Sequence, residues 1–524
     1  MERKKRILKS AGTIGLATTL SRIFGYFRDA SLAWVLGAGF SMDAFTVAYR
    51  LANLFRRLVG EGAMSAAFVP VFVQYQKDHS REELWEFVRK FFYTLALVVL
   101  VIMSLEILFA PLFVRLMAPG FAHTGSKFEL TVFLTRVMAP YLAFVALTAL
   151  LMGVLNSMGQ FVLPALNPVF FNISVIVFAF LAVYANVEPA VIVAIGVLVG
   201  GGLQVLTQLP SVVNQGMSFK VGFSFHHPAI RKVGVLLLPS IFGIGIVQIN
   251  LMVDSLMASF LREGSVSQLY YADRVMELVL GIFTISLATV ILPDMARSAA
   301  SQKIDELKQT LLFSFRAMAF VAIPATVGLF LLADPIVHVL FERGRFSNLD
   351  REGTAIALAY YALGLFFISA VRLIVSAFYS VQDTKTPVKV ASVALLTNVI
   401  LNWILMHPLK QGGIALATSL ASAASLVQLV IIFEKRYGAL DWKKFWESVT
   451  KIAISSAIMG VACLVLLRLF RFDVSQALRW KVVELFGTIG VGILLYLGVI
   501  LLLRADEGVL LSRLPLFKKE KSVP

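Results

Sequence analysis

Five arginines lie within the first two apolar segments of the chain: Arg22, Arg28, Arg50, Arg56 and Arg57. A guanidinium group at the centre of a bilayer costs at least about 2.5 kcal/mol on insertion scales. Several of them together therefore indicate a water-accessible cavity and an anionic ligand rather than contact with lipid. Arginine binds phosphate through two parallel hydrogen bonds and stays charged in a low dielectric, so phosphate is the anion that this residue type suits best.

A further deep arginine, Arg274, lies in the second half of the chain, in the run Tyr270-Tyr271-Ala272-Asp273-Arg274-Val275-Met276-Glu277. The predicted ligand-binding residues are Arg22, Arg28, Arg56, Arg57 and Arg274. Alternatively, these arginines pair with acids as latches between two halves of the protein, through Asp29, Asp43, Glu61, Asp273 and Glu277. Both roles can coexist, because a carrier needs ion pairs that form in one state and break in the other.

Glycines near these arginines are candidate hinges. Arg22 and Arg28 would point about 120° apart on an unbroken helix. Gly25 lies between them and lets the helix bend, so that both side chains can face one cavity. Gly60 and Gly62 flank Glu61 shortly after Arg56 and Arg57. They form a second predicted flexible point.

Four oxygen-bearing side chains within apolar segments form a separate candidate site: Asp254, Asn398, Asn402 and Thr418. Oxygen ligands of this kind suit a small hard cation such as sodium. The alternative is a set of hydrogen bonds between helices, which the same polar residues also make in membrane proteins.

The composition places these residues in a membrane protein. The chain has 524 residues, of which 59% are hydrophobic and 15% charged, with a mean hydropathy of +0.84. The net charge of +16 lies largely in loops between apolar segments, which excludes a nucleic-acid-binding face. The single cysteine, Cys463, excludes an intramolecular disulfide and a cysteine-based metal site. The first apolar segment is too long for a cleavable signal peptide, so we expect it to be retained.

Fourteen apolar stretches are long enough to cross a bilayer as helices. They lie near residues 12–36, 43–73, 91–117, 129–155, 163–185, 190–213, 233–262, 269–296, 309–332, 354–380, 388–406, 413–433, 452–468 and 481–503. Lysine and arginine are concentrated in alternate loops, beginning with the N-terminal segment. This bias predicts that both termini are cytoplasmic.

The chain also repeats itself at one constant offset, which pairs Pro70 with Pro293, Ser157 with Ser380, and Pro164 with Pro387. Six spans fall in each half, so the halves are predicted to be parallel repeats with a binding site between them near the midplane. The predicted domains are an N-lobe at 1–222, a C-lobe at 223–436, and a helix pair with a basic tail at 437–524. That pair either forms a groove for an acyl or polyprenyl tail or adds packing.

Enzymatic motifs are missing from the sequence: it contains no HExxH, no nucleophile elbow and no GxxxxGK[ST] loop. We therefore expect a transporter rather than an enzyme, with energy from an ion gradient, the membrane potential or the flux of the substrate.

The motifs SRIFGYFRDA, GAGFSMDAF, NLFRRLVGEGAMSAAFVPVF, YYADRVME and FYSVQDTKTPVK closely resemble those of the MurJ (MviN) lipid II flippases of the MOP superfamily. The resemblance covers nearly the whole chain. It implies an all-α polytopic membrane protein with fourteen transmembrane helices: two six-helix lobes in a V-shaped arrangement around a cationic cavity, plus two C-terminal helices that form a lipid groove. It implies the cavity arginines already named, with Asp43 and Glu61 as functional acids.

The resemblance further implies that the chain moves undecaprenyl-pyrophosphate-linked disaccharide-peptide from the inner to the outer leaflet of the bacterial cytoplasmic membrane by alternating access. We expect a monomer that contacts membrane lipids and has no cofactor except a possible sodium ion. Some relatives bind sodium with a further aspartate where this chain has Asn402, so one anionic ligand is missing here. The alternatives are a MOP-type flippase for another polyprenyl-linked glycan and a cation-coupled multidrug exporter. A glycosyltransferase would need a larger outer loop than the one near residues 333–353.

Overall fold

The computed structural model describes residues 2–55, 63–123, 125–470 and 477–504. Within these ranges the fold is all-α, as predicted. Nine helical segments of the described residues are long and apolar enough to cross a membrane, one of them the continuous stretch Gly125–Ser157. The number is ten if the bent pair Asn348–Ala362 and Leu365–Ser380 is counted as one span. The polytopic membrane class is therefore confirmed, and the count of fourteen stays a prediction.

The described residues of the first half of the chain form nine α-helices and a 3-10 helix at Pro119–His123. The α-helices are α1 (Glu2–Leu36), α2 (Phe40–Phe55), α3 (Ala63–Asp78), α4 (Arg81–Leu108), α5 (Ala110–Met117), α6 (Gly125–Met138), α7 (Tyr141–Ser157), α8 (Val162–Ala182) and α9 (Pro189–Asn214).

The second half contains α10 (Pro228–Ser259), α11 (Ser265–Ala300), α12 (Ile304–Leu331), α13 (Ala333–Phe341), α14 (Asn348–Ala362), α15 (Leu365–Ser380), α16 (Lys385–Leu409) and α17 (Gln411–Tyr437). The C-terminal pair follows as α18 (Trp442–Leu469) and α19 (Leu478–Leu502).

The α7–α8 and α15–α16 turns have the same backbone path, at the offset that the sequence repeat predicted. Gly159 has a φ of +79° and Gln382 a φ of +62°. The amide of Gln160 donates to the carbonyl of Leu155 at 2.9 Å, and the amide of Asp383 donates to that of Phe378 at 2.9 Å. A left-handed residue followed by such a bond ends a helix and satisfies its last carbonyl groups.

The break between α4 and α5 is repeated between α12 and α13. Phe109 and Leu332 terminate the longer helices with φ values of −96° and −102°. Their amides donate to the carbonyls of Leu105 and Gly328 at 2.8 and 2.9 Å. The duplication seen in the sequence is therefore also present in the local structure of each half.

The helices group into two compact units. Unit 1 comprises Met1–Ser267 and Arg343–Ser347, and unit 2 comprises Gln268–Glu342 and Asn348–Pro524. Unit 1 therefore includes α10, which packs against α3, α4 and α5. The predicted lobe boundary at 222/223 rested on counting spans rather than on contacts, and it stays a prediction.

A cluster of aromatic rings forms the centre of the unit 1 core. Phe68 and Phe72 of α3 pack against Phe87 and Phe91 of α4, with ring centroids 5.4 to 6.2 Å apart in this group. All four side chains are buried. This core fixes the position of α3, and therefore of the polar residues at its C-terminal end.

In unit 2 the C-terminal pair packs tightly on α12. A Cβ atom at Gly492 of α19 would lie 2.8 Å from the buried Sγ of Cys463 in α18. The Tyr496 hydroxyl donates to the carbonyl of Phe320 in α12 at 2.7 Å. Cys463 is thus a packing residue at this close helix–helix contact.

Candidate functional site

The predicted site residues divide into three groups. Those in unit 1 are Arg22, Gly25, Arg28, Asp29, Asp43 and Asp254, and those in unit 2 are Arg274, Glu277, Asn398, Asn402 and Thr418. Arg56, Arg57, Gly60, Glu61 and Gly62 lie outside the described residues.

Arg28 is the centre of a polar cluster between α1 and α8. Its Nε and Nη2 atoms donate to Oδ1 of Asp29 at 3.0 and 2.8 Å, and its Nη1 donates to Oδ1 of Asn172 at 3.1 Å. Asn172 in turn donates from Nδ2 to the carbonyl of Ser21 at 3.2 Å. The guanidinium plane is thus held by a buried acid and an amide, which presents it in a fixed orientation.

Gly25 of α1 faces α8 at an ordinary van der Waals distance, with room for a Cβ atom. A Cβ atom there would lie 3.7 Å from Nδ2 of Asn172. Helix α1 runs unbroken through Gly25 in this conformation. Arg22 and Arg28 therefore point in different directions from the helix axis here, and the hinge role of Gly25 stays a prediction.

Arg50 joins α2 to α10. Its Nη1 donates to the carbonyl of Leu251 at 3.3 Å and makes a short hydrogen bond to the Ser255 hydroxyl. Asp254, the residue before Ser255 on α10, is buried and has interaction partners of its own. This arginine therefore links α2 to the first helix of the second sequence repeat. The latch alternative stays a prediction.

Asp43, at the start of α2, is 1% exposed and accepts four hydrogen bonds. Its Oδ2 accepts from Lys127 Nζ at 3.1 Å and from the Gly264 amide at 2.8 Å. Its Oδ1 accepts from the amide and hydroxyl of Ser267 at 3.0 and 2.7 Å. Lys127 also lies 3.5 Å from Oε2 of Glu263. We call these five residues the Asp43 cluster.

Two aromatic rings complete the surroundings of the buried Lys127 ammonium. Its Nζ lies 5.6 Å from the ring centroid of Phe40 and 5.1 Å from that of Phe121. A cavity of about 260 Å³ borders the cluster, lined in part by His123 and Arg262. The charges of the cluster are therefore paired with one another beside a polar cavity.

A second polar group lies at the other end of α10. Lys232 Nζ donates to Oε1 of Gln74 at 2.8 Å, and the rings of Tyr75 and His79 stack with centroids 3.8 Å apart. The His227 ring lies 5.8 Å from that of Tyr75. We call Gln74, Tyr75, His79, His227 and Lys232 the Tyr75 cluster. They line a cavity of about 270 Å³.

The imidazole of His227 is perturbed by this packing. Burial lowers the pKa of His227 below its ordinary value, and the nearby Lys90 ammonium acts in the same direction. Neutral imidazole is therefore favoured where the ends of α3 and α10 meet.

Arg274 is held within unit 2 by its own helix, α11. Its Nη1 donates to Oε2 of Glu277 at 2.6 Å, and its Nη2 lies 3.7 Å from Oδ2 of Asp273. The guanidinium carbon lies 5.0 Å from the Tyr270 ring centroid. This pair lies within one helix, and the predicted latch between the two halves stays a prediction.

Three residues of the candidate cation site are linked within unit 2. Asn402 donates from Nδ2 to Oδ1 of Asn398 at 2.9 Å, and Asn398 donates from Nδ2 to the Thr418 hydroxyl at 3.2 Å. Both asparagines are buried. Asp254 belongs to unit 1. The contacts between α16 and α17 are those of the interhelical hydrogen-bond alternative.

Sequence reasoning missed Lys127, Glu263 and Asn172. Lys127 and Glu263 fall in predicted loops, where a charged side chain is ordinary. Asn172 is one amide in an apolar helix. Only the tertiary contact with a charged partner distinguishes them, and no local pattern in the sequence signals it.

Comparison with known proteins gives the same family as the sequence motifs. The family model described as "Lipid II flippase MurJ" matches residues 32–483. A probable lipid II flippase MurJ of Vibrio cholerae is 35% identical over 508 residues, covering 95% of this chain and 96% of its own. One of Rhizobium tropici is 37% identical over 461 residues, covering 87% and 86%.

Solved structures agree with this assignment. A lipid II flippase MurJ in an inward closed conformation superposes with a TM-score of 0.78 at 29% identity, covering 94% of this chain and 99% of its own. An inward-facing MATE multidrug transporter of the MOP superfamily has a TM-score of 0.66 at 14% identity, covering 79% and 94%, and shares the fold. The chain therefore belongs to the MurJ family of lipid II flippases, which are transporters rather than enzymes.

Proposed function

We propose that the chain is a lipid II flippase, which moves undecaprenyl-pyrophosphate-linked disaccharide-peptide from the cytoplasmic to the outer leaflet for peptidoglycan synthesis. The observation that carries the proposal is the 35% identity over 508 residues to a relative named as a probable lipid II flippase. The polyprenyl chain would stay in lipid, along a groove formed by α18 and α19, while the headgroup crosses through the protein.

The arginines give this transport its chemistry. Arg22, Arg28, Arg56, Arg57 and Arg274 would bind the pyrophosphate, whose oxygens suit the planar guanidinium fork. Asp29 and Glu277 would hold Arg28 and Arg274 when the substrate is absent, as the 2.8 and 2.6 Å contacts of those pairs support. Asp43 and Glu61 would act as further acids that form or release contacts between conformations, with Gly25, Gly60 and Gly62 as hinges.

In alternating access, the two ends of α10 would separate from their neighbours in turn. With both termini cytoplasmic, the Tyr75 cluster would lie at the cytoplasmic end and the Asp43 cluster at the outer end. The hydrogen bond between Gln74 and Lys232 and the stacked rings of the Tyr75 cluster support a conformation closed to the cytoplasm at this point. Headgroup entry would then begin with the separation of α3 from α10.

The energy source would be the membrane potential, because an inside-negative potential favours return of the empty cationic site. Each charge moved contributes about 2.3 kcal/mol per 100 mV. A sodium ion at Asp254, Asn398, Asn402 and Thr418 is a weaker proposal, because Asn402 removes one anionic ligand and the amides hydrogen-bond to one another.

The protein would act as a monomer in the bacterial cytoplasmic membrane, with lipid II and membrane lipids as its partners and no nucleic acid. The second candidate, a cation-coupled multidrug exporter, draws on the shared fold with MATE transporters. Exporters of cationic drugs need acids and aromatic rings in the cavity, so the arginines favour a phosphate-bearing substrate. A MOP-type flippase for another polyprenyl-linked glycan would use the same arginines.

The test is transport by the purified protein in liposomes. Lipid II is compared with a polyprenyl-linked glycan of a different sugar and with a cationic dye, each with and without sodium. We expect movement of lipid II alone, independent of sodium. Movement of the dye with lipid II left in place would establish the exporter instead.

A further inference from the structure

One carboxyl group is buried inside unit 1 without a partner among the described residues. Glu106 of α4 is 1% exposed. Neither of its carboxyl oxygens has a hydrogen-bond partner among the described residues, and none of the ion pairs described there includes it. It lies on the same helix face as Leu95 and Val99, two buried residues that precede it by about three and two turns, respectively. The carboxyl group therefore faces the packed interior rather than lipid.

The helices that pack against α4 carry few charges near this point. Arg136 of α6 contacts the backbone beside Glu106, because its Nε donates to the carbonyl of Ile107 at 3.2 Å. The Arg136 side chain is nevertheless exposed, whereas Glu106 is buried. Arg115 of α5 lies over the Phe128 ring, with its guanidinium carbon 6.0 Å from the centroid. The other titratable groups on the packed elements are Tyr75, Lys77 and Asp78 on α3, Lys127 and Glu129 on α6, Tyr141 on α7, and Arg231, Lys232 and Asp254 on α10.

These groups do not balance a charge on Glu106. Lys127 is paired with Asp43, and Lys232 with Gln74 at the far end of α10. A carboxylate ion without a partner costs several kcal/mol to bury, whereas a neutral carboxylic acid costs far less. Ionisable groups inside a membrane bundle are rare for this reason, and those that occur are commonly proton carriers.

We propose that Glu106 is a proton-binding site within unit 1. It holds a proton at neutral pH in the conformation described, and it releases that proton when the bundle rearranges and gives the carboxylate water or a cation. The ligand is the proton itself, and Arg136, which donates to the carbonyl of the neighbouring residue Ile107, is the cation that we expect the rearranged unit to bring to the carboxylate. The coupling of this event to substrate rests on the proposed function, but the protonation does not.

The test uses a lipophilic carbodiimide, which reacts with protonated carboxyl groups in apolar surroundings, on the full-length protein at pH 7.5. Peptide mass spectrometry measures labelling in the wild type and in the Glu106→Gln and Glu106→Asp variants. Glu129 of α6 is the internal control, because its side chain is exposed whereas that of Glu106 is buried.

In the wild type we expect labelling of Glu106 and not of Glu129. Labelling at position 106 should be lost in Glu106→Gln and retained in Glu106→Asp. Saturating lipid II should reduce the labelling severalfold as the carboxyl group gains water. An unlabelled Glu106 at pH 7.5, in protein that is labelled there at pH 5, would overturn the proton site. Labelling that lipid II leaves unchanged, in protein that still transports it, would overturn the release step. Protein that takes no lipid II but labels at Glu106 would contradict the proposed function instead.

Discussion

The two ends of α10 are fastened to the first repeat by different chemistry. At one end, in the Asp43 cluster, the Asp43 carboxylate is 1% exposed and pairs with the Lys127 ammonium, which is 4% exposed. Backbone amides donate hydrogen bonds to the same carboxylate. At the other end the Tyr75 cluster relies on one exposed hydrogen bond, between Gln74 and Lys232, and on stacked rings around a cavity.

The difference indicates which end opens more readily. Removing one partner of a buried, fully hydrogen-bonded ion pair costs about 3 to 5 kcal/mol. Breaking an exposed hydrogen bond costs only about 0.5 to 1.5 kcal/mol, because water replaces the partner. The end of α10 near Lys232 should therefore separate first, which agrees with headgroup entry from the cytoplasm under the proposed orientation.

Loss of Asp43 should have the largest effect on stability. Asp43→Ala leaves the Lys127 ammonium buried without its closest carboxylate, so we expect the free energy of unfolding in detergent to fall by about 3 kcal/mol or more. Glu263→Gln, at a side chain that is 55% exposed, is the matched control and should lower it by less than about 1 kcal/mol.

A double variant separates charge burial from packing. If Asp43→Ala is destabilising because of the unpaired ammonium, adding Lys127→Met should recover part of the loss. Equal effects of Asp43→Ala and Glu263→Gln would mean that the Asp43 cluster holds α10 no more firmly than a surface pair does.

Loss of Lys232 should have a smaller effect on stability and a larger one on conformation. Lys232→Met removes the hydrogen bond to Gln74 and should cost about 1 kcal/mol or less. Spin labels at the exposed positions Lys77 and Arg231 would report the separation of α3 from α10. We expect a second, longer distance to appear in the variant, and an unchanged distribution would show that this end is not the weaker one.

Acidification should produce the smallest effect, through His227. Burial lowers the pKa of this imidazole, so the folded protein resists a proton that the unfolded chain accepts. The free energy of unfolding is therefore unaffected by the titration of His227 above the unfolded pKa of histidine, about 6.5. It falls as the pH drops from there through the lower pKa of the folded state, because the unfolded chain then binds the proton more tightly. His227→Gln should remove this part of the pH dependence, whereas His226→Gln at the exposed neighbour should leave it in place.

The sequence was sufficient to predict the class of fold and the repeat. Apolar length predicted membrane helices, and the matched Ser157 and Ser380 predicted turns that prove to share hydrogen bonds and left-handed residues. The pairing of Arg274 with Glu277 was also within reach, since three residues along a helix place two side chains on one face. Such predictions depend on local spacing alone.

Contacts between distant segments were beyond the sequence. The Lys127 ammonium reaches Asp43 only because α6 packs on α2, and the amides of Gly264 and Ser267 complete that site from a separate turn. Glu106 is a single acid in an apolar run, and only its burial without a partner distinguishes it. Helix periodicity carries no information about either arrangement.

We propose above that the guanidinium groups of Arg28 and Arg274 bind the pyrophosphate of lipid II. The most direct measurement is the affinity of purified protein for lipid II in the Arg28→Lys and Arg274→Lys variants, with Arg297→Lys as the control at an exposed arginine. Each test variant keeps its charge but loses the bidentate fork, so we predict about tenfold weaker binding or more, while the control binds normally. Unchanged affinity in both test variants, at normal folding, would contradict the account.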